Sequence, residues 1–155
     1  MFKVMPEVES WFKNILSNDA LKTKWDLYYL CLMIGLASSK TSPLTSSRGD
    51  ITDNFIADYK KSKNLIISLF ICAELKNLGI EFSDRAMAKE ILNKYLDPHQ
   101  SASLSNQAFQ RLNEYSYGGF LVLAERQSKP NELATFLMQY EDLFTSLVTK
   151  NPDWT

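Results

Sequence analysis

Leu27–Ala37 reads LYYLCLMIGLA, and Leu65–Ala73 reads LIISLFICA. Neither run has a polar face. A surface helix carries one apolar stripe, whereas a helix that is apolar all round has to be covered all round. The two runs therefore predict two nearly all-apolar helices at the centre of an all-α bundle. Covering both is demanding for a chain of 155 residues. Part of that apolar surface is expected to lie against another chain.

Composition supports this reading. Hydrophobic residues make up 45% and aromatics 12%, enough for a core. Only 5 glycines and 5 prolines interrupt the chain, which favours long helices over many short strands. Basic and acidic residues number 17 and 18, for a net charge of −1. A broad field for non-specific nucleic-acid binding is not expected, although a local patch is compatible with these numbers. Cys31 and Cys72 each sit inside an apolar run and read as small, buried, reduced core residues. The first ten residues, MFKVMPEVES, lack the apolar region of a signal peptide. The apolar runs fall short of the roughly 18 to 20 residues a membrane span needs. A cytoplasmic protein without a membrane association is the expectation.

The chain reads as six helices in a single domain over residues 1–155. The first is expected from Pro6 to Ser17, with proline in the first turn and Glu7 and Glu9 at the positive end of the dipole. Trp11, Phe12, Ile15 and Leu16 form its apolar face. The second is expected to start near Asn18 or Asp19 and to end at Ser38. The polar stretch SKTSPLTSSRGD follows, so residues 39–51 read as a mobile loop. The third helix is expected from a Thr52 or Asp53 cap to Leu78, with Gly79 as its stop. The fourth is capped by Ser83 and ended by Asp97–Pro98. The fifth runs from Ser103 to Gln127, and helices two, three and five should form the centre. Pro130 opens the sixth, whose stripe is Leu133, Phe136, Leu137, Tyr140, Leu143, Phe144 and Leu147. Trp154 is placed to pin the tail.

Catalytic signatures are missing. No P-loop, dinucleotide fingerprint, nucleophile elbow or HExxH pattern occurs. Two cysteines and one histidine do not make a tetrahedral zinc site without a carboxylate. His99 lies two residues from Asp97 in a helix-connecting loop, a poor place for a tuned acid or base. No cofactor or metal is expected, nor an enzymatic activity. Arg48–Gly49–Asp50 spells an adhesion tripeptide, for which chance is the sound explanation.

Two other patterns stand out. Lys60, Lys61 and Lys63 form the one dense basic cluster, and Lys60 and Lys63 share a face if the segment is helical. With Lys40 and Arg48 of the preceding loop they are candidate nucleic-acid contacts, or else simply a solvated face. The stretch Tyr115–Ser116–Tyr117–Gly118–Gly119–Phe120 places a glycine pair inside a helical pattern. Each glycine weakens a helix interior by up to about 1 kcal/mol. The pair therefore asks for a kink, a break or a close backbone contact. Tyr115, Tyr117, Gly118, Gly119 and Phe120 are the candidate partner interface, with a kinked core helix as the equal alternative. A polar ligand pocket beneath such a bend, near Glu114, is a third option.

YYLCLMIGLASSK, ITDNFIADYKKSKNLIISLFICAELKNLGI and LNEYSYGGFLVLAE, followed by FLMQYEDLF, carry a resemblance from about Trp25 to Phe144. The chain resembles the small helical middle components of bacterial three-component ABC-type ATPase systems, among them the small subunit of Lamassu-type antiphage complexes. The resemblance implies a non-enzymatic subunit that assembles with an SMC-like ATPase and an effector nuclease; DNA is a further candidate contact through the Lys60–Lys63 face. The expected function is thus an interaction subunit of a defence complex, with self-association also open. A stand-alone nucleic-acid-binding regulator using the Lys60–Lys63 face is the alternative.

Overall fold

The computed structural model describes residues 1–16 and 20–150. Among these, the fold is all-α, with six α-helices and two short 3-10 turns and no strand. The helices are α1 (Pro6–Phe12), α2 (Lys24–Ser38), α3 (Lys63–Asn77), α4 (Arg85–Tyr95), α5 (Asn106–Arg126) and α6 (Leu133–Lys150). They fall into two compact units. One comprises Met1–Phe2 and Thr52–Leu112, the other Lys3–Ile51 and the chain from Asn113 onward.

In the first unit, a 3-10 turn (Ala57–Ser62) leads directly into α3. Of the α-helix expected from Thr52, residues 52–56 are therefore not helical and Ala57–Ser62 takes the tighter 3-10 form. Gly79 ends α3 as expected. Its φ is 69°, its N–H bonds Lys76 O at 3.1 Å, and the Ile80 N–H bonds Leu75 O at 2.9 Å. That pair of bonds is a Schellman stop, which needs a left-handed residue at this position. The cap of α4 is Asp84, one residue after the expected Ser83, and its carboxylate accepts from Met87 N–H at 3.2 Å. A bridge between Leu96 and Leu104 then closes the connection to α5. There the Ser105 hydroxyl accepts from Ala108 N–H at 3.2 Å. The core holds Phe2, Phe55 and Phe109 in edge-to-face contact, at 5.3 and 4.8 Å, with Phe70 beside Tyr95 at 5.0 Å.

The second unit is organised by α2 and the Asn113–Arg126 part of α5. Thr23 and Asp26 form a reciprocal capping box, so α2 begins at Lys24. The earlier cap candidates Asn18 and Asp19, like Ser17 and Trp154, lie outside the described residues. α1 is shorter than expected, giving way after Phe12 to a 3-10 turn, Lys13–Ile15. α6 likewise starts at Leu133 rather than at Pro130. From Trp25 to Ser38, no residue of α2 is exposed.

The glycine pair does not break α5, which is continuous from Asn106 to Arg126. It permits backbone contact with α2. A Cβ on Gly119 would lie 1.8 Å from Cys31 O and 2.5 Å from Gly35 N. A Cβ on Gly35 would lie 1.9 Å from Tyr115 O. No side chain fits at either position. The same seam carries buried polar bonds. Tyr28 donates to Asn113 Oδ1 at 3.0 Å, and Ser116 donates to Tyr28 O at 3.2 Å. Lys3 N–H also reaches Asn113 Oδ1 at 3.0 Å, tying down the chain before α1. An aromatic cluster of Trp11, Phe12, Phe120 and Phe136 fills the space beside the seam.

Gly119→Ala should therefore cost at least about 3 kcal/mol, because backbone rather than a flexible side-chain tip blocks the methyl group. Gly79→Ala meets nothing within 4 Å and should cost about 1 kcal/mol from its positive φ alone. Urea denaturation of both variants measures the contrast, and equal losses would show that the crossing accommodates a Cβ.

Candidate functional site

The residues expected to form a partner interface lie inside the second unit. Tyr115, Tyr117, Gly118, Gly119 and Phe120 are all buried. Gly118 closes on the chain after α2, where a Cβ would sit 2.5 Å from Lys40 O. Tyr115 is fully enclosed, so the region is filled by core rather than by a ligand pocket. The Tyr117 hydroxyl donates to Glu7 Oε1, and the Thr45 hydroxyl donates to the same oxygen at 3.0 Å. The Tyr117 bond, with Thr45 in support, holds the Glu7 carboxyl below its ordinary value against an opposing effect of burial. Burial, with the Glu7 bond, pushes the Tyr117 hydroxyl up.

The loop expected to be mobile carries defined contacts. Ser42 N–H bonds Glu114 O at 3.0 Å, and Val4 N–H bonds Gly49 O at 2.9 Å. Asp50 pairs with Lys3 at 3.2 Å. Gly49 has a φ of 101° and its Cβ would meet Val4 O at 2.1 Å, so the glycine of the RGD tripeptide has a structural reason. Lys40 and Arg48 are exposed on this loop. Lys60, Lys61 and Lys63 come together in the first unit at the turn entering α3. Lys60 and Lys61 are exposed, whereas Lys63 donates to Ser103 Oγ at 3.2 Å.

The two cysteines differ from one another. Both are free thiols; Cys31 is buried, but Cys72 is only half-buried. Burial pushes both thiols above their ordinary value. The contact between His99 and Asp97 runs from the His99 backbone N–H to Asp97 Oδ1 at 3.0 Å, a local turn rather than a ring pairing. Among the described residues no group of three His, Cys, Asp or Glu side chains is placed to hold a metal.

Two further features belong to the first unit, the second of them not anticipated from the sequence. The first is apolar exposure. Leu65 is 61% exposed, Leu78 54% and Phe82 65%, with Met87 and Leu92 also exposed on α4. On α3, Leu65, Leu69, Cys72 and Lys76 follow the i, i+4, i+7, i+11 spacing of one stripe. Leu65 and Lys76 are exposed, and Leu69 and Cys72 are half-buried. The second feature is an ion pair. Glu74 is 2% exposed; its Oε1 accepts from Arg111 Nε at 2.7 Å, and its Oε2 from the Tyr95 hydroxyl at 3.3 Å. Burial, reinforced by the Glu74 charge, raises the Tyr95 hydroxyl. These groups, with Leu78, Lys94, Gln107 and Gln110, line a cleft of about 370 Å³. The sequence signal was one acid directly after an apolar run, and Gln107, Gln110 and Arg111 at i, i+3, i+4.

Comparison with known protein families, curated proteins and solved structures finds no match to this chain.

Two outcomes follow from the titratable groups. In the native protein, a thiol reagent should modify Cys72 and reach Cys31 only on unfolding; equal rates in native buffer would contradict the burial difference. For Glu7, the folded pKa is depressed, so its stabilisation is complete above the ordinary carboxylate value. It is lost as pH falls through the folded value. Glu7→Gln should flatten the fall of the melting temperature on acidification, and an unchanged acid limb would exclude Glu7 as a contributor.

Proposed function

We propose that the chain is a non-enzymatic, cytoplasmic interaction subunit of a multi-protein complex. The observation that carries this reading is the set of open apolar side chains on the α3–α4 segment, above all Leu78 and Phe82. Single exposed apolar residues are ordinary on any protein surface. Their concentration is not: among the described residues, five of the ten large exposed hydrophobics fall within residues 65–92. Such exposure on a short segment is characteristic of a surface that a partner covers. The resemblance to the middle components of three-component ATPase systems gives the partners a class: an SMC-like ATPase and an effector nuclease of an antiphage complex.

Size-exclusion chromatography with light scattering, on the chain alone and with the products of neighbouring genes, tests the reading. A stable complex is expected, and Leu78→Ser with Phe82→Ser should weaken it about tenfold or more while the melting temperature holds. A monomer that binds no neighbour would sink it.

The exposed Lys60 and Lys61 favour a second reading, a nucleic-acid-binding regulator. Phosphate contacts would make binding fall steeply with salt. Binding that is insensitive to salt, or that survives charge reversal at Lys60, Lys61 and Lys63, would exclude it.

A further inference from the structure

We draw no further inference here: the strongest candidate, the open apolar surface patch around Leu78 and Phe82 where α3 turns into α4, already carries the interaction reading above, and nothing in the structure shows what covers it.

Discussion

The α2–α5 crossing fixes the geometry of the second unit, because it brings backbone against backbone. Gly119 faces Cys31 O and Gly35 N, and Gly35 faces Tyr115 O, at separations that exclude a methyl group. Close approach lets buried polar groups reach across the seam. Tyr28 and the Lys3 N–H share Asn113 Oδ1, and Ser116 answers Tyr28 O. A wider crossing would strand these groups, each at a cost of about 1 to 3 kcal/mol. The glycines and the polar seam therefore depend on each other. The residues around them follow: the aromatic cluster at Trp11 and Phe136, and the Tyr117–Glu7 bond that holds α1.

The two apolar helices that looked equivalent in sequence are used differently. α2 is enclosed by its own unit and leaves no residue exposed between Trp25 and Ser38. α3 keeps a partly open stripe through Leu65, Leu69 and Cys72, and it ends in the exposed Leu78. The surplus apolar surface expected from composition is therefore concentrated on α3 and the segment that follows it. That segment is also the one beside the Glu74–Arg111 pair.

Much of the fold was legible because local chemistry declares itself. Gly79 could be read as a stop, since a Schellman ending requires a residue that tolerates positive φ. Pro6 suited a first helical turn for a similarly local reason. Errors came where equivalent signals competed. Thr23 competes with Asn18 and Asp19, whose side chains offer equally good cap chemistry earlier in the chain. Ser83 and Asp84 are adjacent caps of similar strength, and Pro130 stands short of a helix that begins at Leu133. The 3-10 turn at Ala57–Ser62 has no composition of its own that separates it from an α-helical start.

The candidate site was less legible, and the reason is physical. Glycine has no side chain, so Gly118 and Gly119 announce a close contact without naming what approaches. The same residues fit a helix of this chain and a helix of another, and only the packed structure shows Cys31 and Gly35 in that place. The Glu74–Arg111 pair poses the opposite difficulty. Its chemistry is explicit, but its members are 37 positions apart and meet only through tertiary folding. Sequence periodicity reports which face of a helix is apolar, and it cannot report that a lone acid on that face has found its cation. A site built from such a pair becomes visible once burial and hydrogen bonding are known together. Here burial makes the unpaired carboxylate untenable, and the bond from Arg111 explains how the helix keeps it.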